Sequence, residues 1–195
     1  MRIGEVIETG SAGFVAASFE LNRPPELGSL VKVEVDEDGR VYGVVSYGMT
    51  AGLDPGRRAV RRSSEGVYDA AIYRENPQLR QLLRTEFSVV LVGWAHHGSA
   101  WQQLPPQPPP LHYSVQGCTP HEVRVFSDHL LYLRLLLSAG AQLPGEQLLA
   151  AHLRHVYQAR GQDRTWLELA AREVASLLKQ DTERLLVVLQ GIEPE

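Results

Sequence analysis

The sequence predicts an α+β chain in two parts: a small closed β-barrel followed by a C-terminal α-helical bundle. Three observations predict it. Apolar residues recur at a period of two through the first hundred residues, a proline-rich run follows, and from residue 119 the period becomes helical. The expected boundaries are 1–101 for the barrel, 102–118 for a linker and 119–195 for the helical domain. A chain of 195 residues with 44% hydrophobic and 22% charged content can bury a core without disulfides or metals.

The barrel strands are read in order. Ile3–Glu8 and Phe14–Leu21 read as two strands joined by the turn Gly10-Ser11-Ala12-Gly13. Leu30–Val35 alternates, with Val31, Val33 and Val35 on one face. Asp36-Glu37-Asp38-Gly39 is a hairpin turn, because Asp-Gly tolerates the backbone that a tight turn needs. Arg40–Tyr47 returns, and Gly43 inside it predicts a bulge or a tight barrel corner. Asn76 as N-cap and Pro77 as first residue predict a short helix with Leu79, Leu82 and Leu83 on one face. Glu86–Trp94 closes the set, apolar enough to be buried on both faces.

Pro105, Pro106, Pro108, Pro109 and Pro110 fix φ and remove backbone donors. They predict a polyproline II spacer, with an SH3-like ligand as the alternative. Beyond it, Thr119-Pro120-His121-Glu122 is a capping box opening a helix to about Ser138, with Val123, Phe126, Leu130, Leu133 and Leu137 as its stripe. A second helix is expected from near Pro144 to before Gly161. A third follows Asp163, with Trp166, Leu169, Ala170, Val174, Leu177 and Leu178 inward. A short fourth is capped at Asp181-Thr182-Glu183 and carries Leu185, Leu186, Val188 and Leu189.

A search for chemistry yields no catalytic set. Neither of the two lysines, Lys32 and Lys179, follows a glycine, so there is no Walker loop, and no Gly-x-Gly-x-x-Gly fingerprint occurs. His152 and His155, three apart on a helix, could share a face and hold a metal, but paired surface histidines are the plainer reading. His96-His97 reads as loop. Asp128-His129 are neighbours on a helix and do not face each other. Cys118 precedes a helix cap that could lower its pKa, and a lone thiol is more often inert. The expectation is therefore no catalytic, cofactor or metal site.

Arg57, Arg58, Arg61 and Arg62, followed by Ser63 and Ser64, form the one charge cluster and the candidate partner-binding site. The alternatives are a solvated loop and salt bridges to Glu26 and the Asp36–Asp38 turn. Nucleic acid is a further candidate ligand, with Tyr42, Tyr47 and Tyr68 as possible stacking platforms. The net charge of −4, shared evenly by both halves, lacks the general basic footprint of such proteins. A single cysteine, no apolar leader and no long apolar run lead to the expectation of a cytoplasmic protein without a membrane span.

The segments Arg2-Ile3-Gly4-Glu5-Val6-Ile7, Pro25-Glu26-Leu27-Gly28-Ser29-Leu30-Val31-Lys32-Val33 and Val41-Tyr42-Gly43-Val44-Val45 together resemble a HAS-barrel. That is the N-terminal barrel shared by HerA-type DNA-translocating ATPases and the catalytic subunits of F-type ATP synthases. Glu75–Leu79 and Phe87–Gly93 fit its late helix and closing strand, so the resemblance covers roughly residues 1–95. A PRC-type barrel also uses a Gly-x-Val hairpin and is the competing family. In HAS-barrel proteins the barrel docks and assembles while a downstream P-loop domain does the ATPase work. The resemblance therefore implies docking. The expected function is a non-enzymatic adaptor whose barrel binds a partner protein, such as a P-loop motor, with the helices as a second surface. A nucleic-acid-binding barrel using the Arg57–Arg62 loop is the alternative, and an enzyme with a site between the two parts is the third reading.

Overall fold

The computed structural model describes residues 1–54, 59–139 and 142–192. Seven strands form one antiparallel sheet: β1 (Arg2–Gly10), β2 (Gly13–Ser18), β3 (Leu30–Glu34), β4 (Arg40–Gly52), β5 (Leu83–His96), β6 (Ser99–Trp101) and β7 (Ser114–Gly117). Their order is β2-β1-β7-β3-β4-β5-β6, and β2 also pairs with β5. Six strands therefore close a barrel, and β6 hangs from β5 as a hairpin flap. Closure removes the free edges that an open sheet of this length would leave.

Strand alternation sorts the side chains to two sides. Val6, Ala16, Val31, Val33, Val41, Val45, Phe87, Val89, Leu91 and Val115 pack together in the barrel interior. The sequence-predicted turns hold. Asp36 Oδ1 accepts from the N–H groups of Asp38 (3.0 Å) and Gly39 (2.5 Å), which closes the β3–β4 hairpin. The register of β4 on β5 shifts between Tyr42 and Gly43, as a bulge requires. A Cβ on Gly43 would lie 2.3 Å from Val89 Cγ1, so this corner closes only over a bare backbone.

The outward side of β3, β4 and β5 also carries apolar residues. Leu30, Tyr42, Val44 and Val92 share one core with Val123, Phe126, Tyr132, Leu133, Leu149 and Leu153 of the C-terminal helices. These helices are α3 (Pro120–Phe126), α4 (Leu133–Leu137), α5 (Gly145–Ala159), α6 (Arg164–Leu177) and α7 (Thr182–Ile192). Tyr42 meets Phe126 at a ring-centroid separation of 4.8 Å, and Phe126 meets Tyr132 at 5.0 Å. The barrel wall thus separates two cores, one inside it and one beneath the helices.

Three elements differ from the sequence reading. The segment 102–118 is not a spacer throughout: Ser114–Gly117 is β7, inserted between β1 and β3. The prolines lack donors but keep carbonyls, and Thr9 Oγ1 donates to Pro109 O (2.7 Å). Past the last proline the donors return. His112 N donates to Val6 O (2.8 Å) and Val6 N to Tyr113 O (3.0 Å), which lays the run along β1.

The helix expected to run from 119 to about Ser138 breaks after Phe126. Its capping box is present, with Thr119 and Glu122 bonding reciprocally. The carbonyls freed by the break find partners from outside. Gln102 Nε2 donates to Phe126 O (2.7 Å) and His129 O (2.8 Å), and Trp166 Nε1 to Ser127 O (2.9 Å). Arg160 donates to Arg124 O, Ser127 Oγ and Asp128 Oδ1.

The helix expected at Asn76 is two short ones, α1 (Ala70–Glu75) and α2 (Leu79–Leu82). Asn76 ends α1 rather than starting α2, and its Nδ2 donates to Ile72 O (3.0 Å). Leu83 already belongs to β5. In the C-terminal helices Asp163 and Asp181 accept from Trp166 N and Arg184 N as N-terminal caps do. Leu169, expected inward, points to solvent, as does Leu186 on the fourth of the expected helices.

Candidate docking surface

Two places in this fold gather polar or exposed groups of interest: an arm beyond the barrel, and the seam between barrel and helices. The arm exists because β4 and β5 outrun their neighbours. β3 pairs with β4 only as far as Val44, and β2 pairs with β5 only as far as Glu86. From there Thr50–Gly52 pairs with Leu83–Thr85 alone. Thr85 pins the arm's base: its Oγ1 accepts from Asn22 N (2.7 Å) and lies 2.8 Å from Thr50 Oγ1.

The arm's tip carries α1, α2 and the loop with the arginines. Arg61 and Arg62 are exposed there, and Arg61 Nε donates to Ser63 Oγ (3.0 Å). Arg57 and Arg58 lie outside the described residues. Arg62 borders a cavity of about 500 Å³ lined by apolar groups, among them Val60, Ile72, Tyr73, Leu79 and Leu82. Asp36 and Asp38, expected as candidate partners for the arginines, lie against His96 (4.0 Å) and His97 (3.0 Å). The three tyrosines are not brought together. Tyr42 is buried under α3, while Tyr47 and Tyr68 are exposed.

At the seam, His152 and His155 do share a face of α5, but not a surface one. His152 is fully buried, with Nδ1 2.6 Å from Gly28 O and Nε2 2.8 Å from Tyr132 Oη. A carbonyl can only accept, so Nδ1 carries the proton and Nε2 accepts from the tyrosine hydroxyl. Both ring nitrogens are therefore occupied, and neither has a lone pair for a metal. Burial pushes the His152 pKa down to about 4, against the Gly28 hydrogen bond that raises it. Burial also lowers the His155 pKa. Among the described residues no three His, Cys, Asp or Glu side chains are placed to hold a metal.

Gly28 is the barrel's half of this contact. Its φ is +83°, and a Cβ there would lie 2.5 Å from Ala151 C and from His152 N. Only glycine lets the loop before β3 reach the backbone of α5. Nearby, Lys32 Nζ bonds Glu122 (2.7 Å) and Glu34 (3.1 Å), tying β3 to the start of α3; against burial, which raises it, the Lys32 and Thr119 hydrogen bonds hold the Glu122 carboxyl down at about 2. Cys118 sits beside them. Burial, followed by the Glu122 charge, raises its thiol to about 12, the opposite of what a helix N-terminus alone would do.

A second cavity, about 620 Å³, is bordered by residues of β2, β5 and α4, among them Val15, Val90, Leu104, Leu135 and Leu143. Glu8 is the one ionisable group among its described lining residues. Among the described residues no helix is long and apolar enough to cross a membrane. No model of a known protein family and no curated protein matches the chain.

The sequence marked the arginines and the histidine pair. It missed Tyr132 and Gly28, which lie 20 and 124 residues from His152 along the chain. The local signal for Gly28 was its place two residues before an alternating strand, inside the segment that carries the barrel resemblance.

Proposed function

We propose that the chain is a non-enzymatic docking adaptor built on a HAS-like barrel, and that its arm holds a partner protein such as a P-loop motor ATPase. The observation that supports this most is the arm itself. It projects past the barrel and presents exposed Val60 and Leu82 around the cavity that Arg62 borders, with Arg61 and Tyr68 exposed on the same segment. Apolar anchors flanked by guanidinium groups suit a partner surface that offers an apolar side chain and carboxylates. The helical layer on the opposite core provides the second surface. The filled barrel interior leaves docking to the outside of the wall.

The test is affinity capture by the full chain from nuclease-treated lysate of the native organism, read by mass spectrometry, in parallel with an Arg61→Glu/Arg62→Glu variant. Reproducible recovery of a P-loop ATPase, reduced at least tenfold by the double substitution, supports the reading. Equal capture by the variant overturns the assignment to the arm. Recovery of nucleic acid alone from untreated lysate, lost on nuclease treatment, moves the function to a nucleic-acid-binding barrel, whose affinity must fall steeply with salt.

A further inference from the structure

The arm leaves one sheet edge open. Beyond Val45, whose N–H donates to Ser29 O and whose carbonyl accepts from Gly28 N, no strand lies beside the outer edge of β4 among the described residues. The phase of the ladder fixes which groups face outward. Leu53 N donates to Leu82 O, so Tyr47, Met49, Ala51 and Leu53 exchange bonds with β5. The N–H and C=O groups of Gly48, Thr50 and Gly52 then point away from the barrel.

Sheet edges are ordinarily blunted by charges or prolines. Here residues 41–53 contain neither. On one face of the arm Pro24 packs where a Gly48 side chain would be and Thr50 is bonded to Thr85. The other face carries Tyr47, Met49, Ala51 and Leu53, of which Tyr47 (37%), Met49 (41%) and Leu53 (48%) are exposed.

We infer that this edge pairs with the same edge of a second copy, forming a twofold antiparallel dimer with its axis at Thr50. Only that register engages all three outward residues: Gly48 meets Gly52 of the other copy, Thr50 meets itself, and Gly52 meets Gly48. It provides up to about six backbone hydrogen bonds. On the exposed face it sets Met49 against Ala51 and Tyr47 against Leu53, large beside small and large beside medium, so all three exposed apolar side chains become covered. Because the strand is uncharged, two copies meet without like-charge repulsion. Self-complementarity about a point is what a twofold interface requires, and a foreign strand would gain nothing from it.

The experiment is analytical ultracentrifugation of the full chain across about 1 to 500 µM, as the small contact area implies weak association. The expected result is a concentration-dependent rise toward twice the 21.7 kDa chain mass. Met49→Lys and Met49→Glu should each weaken association at least tenfold, and mixing the two should restore a heterodimer. The exposed position of Met49 leaves the fold intact, which circular dichroism checks. Amide exchange at Gly48, Thr50 and Gly52 should slow as concentration rises. A monomer throughout that range overturns the inference, as does a dimer indifferent to the Met49 substitutions or edge amides whose exchange ignores concentration.

Discussion

Lowering the pH from 7.5 to 5 should destabilise this protein through one buried side chain, His152. Its folded pKa is about 4, and an unfolded histidine titrates near 6.5. A base with a lowered folded pKa binds more protons when unfolded, so stability is full above 6.5 and is lost as pH falls toward 4. The complete loss is about 3 kcal/mol, of which about 2 kcal/mol has gone by pH 5. The structure gives the reason: protonation would place a charge in the core and turn Nε2 into a donor, so the Tyr132 hydroxyl would lose the acceptor it now donates to. The lowered carboxyls behave differently. Glu122 falls to about 2, and Glu34 and Glu146 also lie below their ordinary values, so their contributions are lost only below about pH 4.5.

Urea unfolding at pH 7.5 and 5.0 separates these groups. The parent protein should lose about 1 M in midpoint between the two pH values, taking a usual urea slope. His152→Gln keeps one hydrogen-bonding end and cannot titrate. It should be less stable at pH 7.5 by about 1–3 kcal/mol, yet show a much flatter pH dependence. A remnant from His155 has the same sign. If the variant falls with pH as steeply as the parent, His152 is not the group responsible and the buried relay is wrongly assigned.

Two other perturbations test the joint between barrel and helices. Gly28→Ala forces a Cβ onto the α5 backbone at positive φ and should cost about 2–4 kcal/mol in urea unfolding. Gly66→Ala, at φ +80° with nothing within 4 Å, should cost only about 1 kcal/mol, and near-equal losses would remove the contact argument. A fragment of residues 1–101 lacks β7 and bares Leu30, Tyr42, Val44 and Val92. It should show neither near-ultraviolet dichroism nor a cooperative melt, and a sharp melt would restore 1–101 as an independent domain.

What the sequence made legible was local. The Asp36–Gly39 turn, the Gly43 bulge, the Thr119–Glu122 capping box and the Asp163 and Asp181 caps each rest on residues within a few positions of one another, where side chain and backbone chemistry decide the outcome. The failures were non-local. Helix α3 stops because Gln102, Arg160 and Trp166 capture the carbonyls it frees, and none of them lies near it in sequence. At the candidate site the arginines were visible as a charge cluster. The open edge was not, because it depends on β3 and β2 both ending before β4 and β5 do.

The one non-local feature the sequence did carry was the double-sided apolarity of the strands. Along β5, Leu91 points into the barrel and Val92 out, and along β4, Val45 points in and Val44 out. A barrel standing free on a flexible spacer would need polar residues on its outer side. An outward Leu30, Tyr42, Val44 and Val92 therefore demand a cover, and the helical half supplies it. That demand conflicts with reading 102–118 as a spacer. Proline chemistry governs Pro105–Pro110 alone. Once the chain must return to the barrel wall to deliver its helices, Ser114–Gly117, with its donors intact, is the segment free to fill the gap between β1 and β3.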